Sequence, residues 1–188
     1  MPVVPSNLLQ GPGTLYLGLF GATEPLDTAL NTAPATGWTD AGGTQDGLTL
    51  EIDQTWAQLD VDQVVDIPEA RLTKRFMTLQ TNLAEATLEN LARSINLDPA
   101  TAVVTGTGVK SLEPASDVTS TQPKYLAGIF DGFAPGGFRR RIIARKMLNM
   151  EKSGLAYKKD GQTLIPVTFT CFYVSASIKP WRMIDGTA

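Results

Sequence analysis

Histidine is absent from the 188 residues, which removes the commonest general base and the commonest transition-metal ligand together. Cysteine occurs once, at Cys171, so no internal disulfide framework is possible and a reducing compartment suits the chain. No apolar run approaches the roughly 18 residues that span a bilayer. The opening MPVVPSNLLQ has neither the basic start nor the apolar stretch of a secretory signal. The first 70 residues contain no Lys or Arg, only ten acids. That leaves all 16 basic groups and nine acids in the other 118, a split of −10 against +7.

This split matters more than the net charge of −3. A chain built to grip nucleic acid is expected to be basic overall, because neutralising phosphates supplies most of the affinity. An acidic part joined to a basic part suggests instead that one copy's negative surface meets another copy's positive one. Such a contact is heterologous and builds rings or filaments. The alternative is that both parts interleave within one folded subunit. The basic extreme is FRRRIIARKML at 138–148, with Arg139, Arg140, Arg141, Arg145 and Lys146 inside eight residues.

What is present reads mainly as strands. GTLYLGLF at 13–20 alternates, with Leu15, Leu17 and Leu19 on one side. A Gly-, Ala-, Thr- and Pro-rich stretch at 21–47, around Trp38, has no period and is expected to be a long loop or arm. LTLEIDQTW at 48–56 puts Leu48, Leu50, Ile52 and Trp56 on one face and Thr49, Glu51, Asp53 and Thr55 on the other. An acidic stretch at 57–70 follows as a hairpin tip, and the chain returns at 71–83 with Met77, Leu79 and Leu83 opposite Thr78, Gln80 and Asn82. Between 83 and 96 the period changes to helical, with Asn82 and Glu85 in the form of a capping box and Glu89–Arg93 as an i,i+4 pair. Asp98-Pro99 ends that helix.

Beyond it, 100–123 is rich in Thr, Ser, Gly and Pro with a short strand at 102–105, and a further strand is expected at 124–130. The basic stretch then alternates as a half-buried strand, Phe138, Ile142, Ala144 and Leu148 inward and Arg139, Arg141 and Arg145 outward. Asp160-Gly161 signals a hairpin whose second arm carries Ile165, Val167, Phe169, Cys171 and Tyr173 on one face. Pro166 places that part of the arm at an edge or bulge. Residues 175–188 form a tail with one large anchor, Trp181. The fold class expected is a single domain of antiparallel β-sandwich or barrel type flanked by one α-helix, with extended arms.

Motifs for chemistry are missing. GTGVKS at 106–111 has Val109 and Val104 where a phosphate-binding loop requires glycine. DVDQVVDIPE at 60–69 lacks the central glycine and the spacing of a calcium loop. Cys171 sits in an apolar alternating strand and reads as a core thiol. Without histidine no catalytic triad assembles, so neither an enzyme nor a cofactor or metal site is expected.

One block does stand out. The strand with Glu51 and Asp53, the DQVVD of 62–66, the returning strand and LAEATLENL at 83–91 resemble the major tail protein of long-tailed bacteriophages. The resemblance covers 44–95. It implies a virion protein, made in the bacterial host cytoplasm, whose hexameric rings stack into a tail tube through which double-stranded DNA passes. It implies tape-measure and tail-terminator partners and no membrane insertion. Glu51, Asp53, Thr78 and Gln80 are then expected to face the lumen, because carboxylates repel passing phosphates. Trp38, Trp181 and the pairing of Asp60, Asp62 and Asp66 with Arg139, Arg141 and Arg145 of the next copy are expected between subunits. The competing readings are a nucleic-acid-binding module using 139–146, and another tail component such as a terminator.

Overall fold

The computed structural model describes residues 3–114 and 123–187. The 115–122 part of the expected loop and the last residue of the expected tail lie outside these. Ten strands, β1 (Thr14–Leu19), β2 (Trp38–Asp40), β3 (Thr44–Leu59), β4 (Glu69–Leu83), β5 (Val103–Gly106), β6 (Val109–Leu112), β7 (Leu126–Phe133), β8 (Arg139–Asn149), β9 (Ile165–Cys171) and β10 (Trp181–Asp185), dominate it. Two short helices, α1 (Leu88–Ser94) and α2 (Pro99–Ala102), lie between β4 and β5. The fold is mainly β and antiparallel with one main helix, as expected. The sheet does not close into a barrel: its order is β2-β1-β7-β8-β9-β4-β3, and β10 joins β8 from the side.

Strand β8 organises the sheet. One edge pairs with β7 along most of its length. Its other edge serves two strands, β10 at Arg140–Ala144 and β9 at Met147–Asn149. The branches part at Arg145 and Lys146, where β8 carries an extra residue against β7. There the Arg145 N–H donates to Pro180 O (2.9 Å) on one side, and Lys146 O accepts from Phe172 N (2.8 Å) on the other.

The core lies on the concave side of this forked sheet. Leu15 and Leu17 of β1, Met77, Leu79 and Leu83 of β4, and Ile165, Val167 and Phe169 of β9 are all buried there. Their i, i+2 spacing is what the alternation in the sequence encodes. Pro166 pairs with Asn82 on the β4 side, whereas β8 reaches only the last part of β9, so the missing N–H leaves no ladder bond unmade.

Five expectations are corrected. The helix begins at Leu88, capped by Thr87, whose Oγ1 accepts from Asn90 N at 3.2 Å. Asn82 stays in β4, and Glu85 instead accepts from Gly43 N (3.2 Å), so the capping box does not form. Glu89 pairs with Lys110 rather than Arg93, and that hydrogen bond holds the Glu89 carboxyl below its usual range. The Asp160-Gly161 turn closes only one bridge, Lys158 to Gly161, because β9 takes its partners from β4 and β8. And β8 is buried on both faces: Arg141, Ile142, Ile143 and Ala144 are each at most 6% exposed.

Helix α1 is tied to the sheet by Asn149. Its amide donates to Ser94 O (2.7 Å) and Ser153 Oγ (2.8 Å), and its Oδ1 accepts from Thr168 N (3.0 Å). Asn96, in the left-handed region at φ 59°, completes the lock by pairing both ways with the Asn149 backbone (2.7 and 2.8 Å). Replacing Asn149 by Ala strands Thr168 N in a part-buried setting and leaves Ser94 O with only its bond from Ser153 Oγ (2.8 Å). The expected loss is roughly 2–4 kcal/mol of unfolding free energy, read from the urea midpoint at unchanged slope.

Candidate functional site

Three of the five cations in the positive strand that gives the sequence its basic extreme are ion-paired within their own chain. Arg141 is 1% exposed and grips Asp131 with two bonds of 2.6 Å, while donating to Ala29 O (3.3 Å) and Thr32 O (2.9 Å). Arg145 holds Glu24 at 2.5 and 3.0 Å and donates to Lys179 O. Arg140 pairs with Asp185 at 2.6 and 2.7 Å, which keeps that carboxyl below its usual range. Arg139 lies 4.8 Å over the Phe133 ring, and Lys146 lies 4.3 Å over Tyr125. Arg182 of β10 adds a pair with Asp27 at 2.5 Å.

These contacts correct the expected roles. Arg141 cannot face another copy, since its guanidinium is enclosed by its own chain, and Arg145 is spent on Glu24. Only Arg139 of the three is exposed. The acids Glu24 and Asp27 belong to the segment 21–37, which the arginines fasten across β8 and β10 as a strap. The charge split along the sequence is thus partly interleaved by folding. Trp38 likewise serves its own chain: its indole N–H donates to Thr23 O (2.8 Å), and its ring packs on Gly18, where an added Cβ would stand 3.1 Å away. Trp181 is half-buried against the core.

The acidic residues farther along have a different setting. In β3, β4 and β9 the cross-strand partners run Glu51–Thr78–Thr170 and Thr49–Gln80–Thr168, with Asp53 opposite Phe76. Opposed residues share a face, so Glu51, Asp53, Thr78 and Gln80 come together on one face, away from the core. Glu51, Asp53 and Gln80 are exposed and Thr78 is half-exposed. A shallow concavity of about 930 Å³ lies on this face, and Glu151 and Tyr173 also border it. Thr168 and Thr170 alternate out of phase with the core residues of β9, which is the signal for them; Glu151 follows a strand end and has none.

Past Ile52 and Met77, β3 and β4 leave the sheet as a two-stranded ribbon with no further strand on either edge among the described residues. It is exposed on both faces, yet it carries Trp56 (54% exposed) opposite Leu72 (40%). Its tip holds Asp60, Asp62 and Asp66 beside Val61, Val64, Val65 and Ile67, all exposed. Between this ribbon and β10, in the fork of the sheet, lies a cleft of about 340 Å³ bordered by Lys74, Met77, Cys171, Lys179 and Trp181.

No family model matches the chain, and no curated protein is similar to it at a significant level.

Two outcomes follow from this geometry. Replacing Arg141 by Met leaves the Asp131 carboxylate and Thr32 O without their donor, while Ala29 O keeps its bond from Thr32 N (3.1 Å). That is expected to cost roughly 3–5 kcal/mol, while Arg139→Glu costs less than about 1 kcal/mol; thermal unfolding of the two variants tests the contrast. Burial pushes the Cys171 thiol up to about 12, so at pH 8 only about one molecule in ten thousand carries the thiolate. Ellman's reagent is expected to label Cys171 only when denaturant opens the core.

Proposed function

We propose that this chain is a structural subunit that assembles with copies of itself into stacked rings, forming a phage tail tube that conducts DNA. The observation that carries this reading is the projecting β3–β4 ribbon. A two-stranded hairpin has little stability alone in water. This one displays Ile52, Trp56, Leu72 and the tip valines to solvent, and among the described residues nothing pairs with the outer edge of the 16-residue β3. Covering each large apolar side chain is worth roughly 1.5–3 kcal/mol, and an open edge of this length invites another strand. Neighbouring copies supply both.

The polar face supports the conduit part of the reading. A bore must let its cargo pass without binding it. Glu51 and Asp53, set among Thr78, Gln80 and Thr170, present carboxylates and hydroxyls with no arginine among them. Carboxylates repel phosphates over about 8 Å at physiological salt, whereas a basic wall would hold DNA by releasing its counterions. The rival use of 139–146 as a nucleic-acid contact draws no support, because Arg140, Arg141 and Arg145 are already ion-paired.

The test is direct. Concentrated protein viewed by negative-stain microscopy is expected to show long hollow tubes, with sedimentation showing species far above 20 kDa. A stable monomer under those conditions overturns the reading. Closed single rings alone would point to a terminator instead.

A further inference from the structure

With the arginines of β8 engaged at home, the acidic tip needs another receptor, and the fork of the sheet offers one. Among the described residues three cations border that cleft, Lys74, Arg75 and Lys179, and no carboxylate does. Lys74 and Arg75 make no ion pair among the described residues, and Lys179 bonds only a carbonyl, Ala176 O at 3.2 Å. The floor is apolar, with Met77 fully buried and Trp181 half-buried, and among the described residues 72–77 of β4 has no strand partner on this side. The cleft therefore asks for an extended segment that is both acidic and apolar.

The tip has that composition. Residues 60–69 hold four acids (Asp60, Asp62, Asp66, Glu69) and no base, and Val65 is fully exposed. It cannot reach the cleft of its own chain. The paired ribbon runs from Gln54–Arg75 to Leu59–Glu69, so it carries the tip about 17 Å outward from the cations at about 3.4 Å per residue. We propose that the tip of one copy docks in the sheet fork of the next. Its carboxylates meet Lys74, Arg75 and Lys179, and its valines cover Trp181. The contact is heterologous, so it propagates in one direction. It rests on the self-assembly reading above and names where the arm lands.

The test joins two full-length variants, Val65→Cys and Ala176→Cys, both at exposed positions where neither change disturbs the core. Mixed under mild oxidation, they are expected to give a disulfide-linked heterodimer at least tenfold above either variant alone. Adding Lys74→Glu and Lys179→Glu to the cleft variant should abolish the cross-link, and Asp62→Lys with Asp66→Lys on the tip variant should restore it. Circular dichroism melts confirm that each variant folds. No heterodimer, or cross-linking indifferent to the charge reversals, overturns the docking. Tubes without the cross-link would sink the docking and leave the tube reading standing. Cross-linked open chains without tubes would do the reverse.

Discussion

Strand β8 has a single free edge after pairing with β7, and both β9 and β10 must use it. That constraint shapes the molecule. The extra residue at Arg145 and Lys146 turns the strand so that one branch carries β9, β4 and β3 and the other carries β10. Because the two branches share a stem and then diverge, the sheet curls around one core and cannot close into a barrel. The fork also leaves β4 with two unlike ends. The end flanked by both β3 and β9 is core; the end paired with β3 alone is the ribbon that reaches outward.

The arginines make the stem possible. A strand buried on both faces ordinarily reads as continuous Val, Ile and Leu. Here Arg141 occupies such a position and is tolerated because Asp131 and two carbonyls satisfy its guanidinium, with no buried side-chain polar atom left unpartnered among the described residues. An ion pair of this kind contributes little net stability but fixes geometry. The other bonds of Arg141, to Ala29 O and Thr32 O, set the strap against the sheet, and Glu24 with Arg145 and Asp27 with Arg182 hold the strap's first half.

Much of this was legible in the residues, within limits set by physics. Alternation located β1, β3, β4, β8 and β9, because a period of two is imposed by the pleat itself. It also put Glu51, Asp53, Thr78 and Gln80 on one face, since both strands were known to be adjacent through their turn. What could not be read was which strands pair across long separations. Without knowing that β8 is flanked on both sides and roofed by the strap, its arginines looked like a solvated face. The helix start failed for a local reason: β4 keeps hydrogen bonding through Leu83, so Asn82 was unavailable as a cap and Thr87 took that place.

The strap has one more consequence. It crosses the sheet without contributing a strand between residues 21 and 37, and Leu26 is 75% exposed. Its attachment relies on two acidic side chains and three backbone oxygens, those of Thr23, Ala29 and Thr32, and any residue supplies a backbone oxygen. Such a segment can change most of its letters and keep its seat, provided Glu24 and Asp27 remain. Substitutions can therefore redecorate this flank of the molecule with little effect on how it is held, whereas the strands beneath it are bound by their packing.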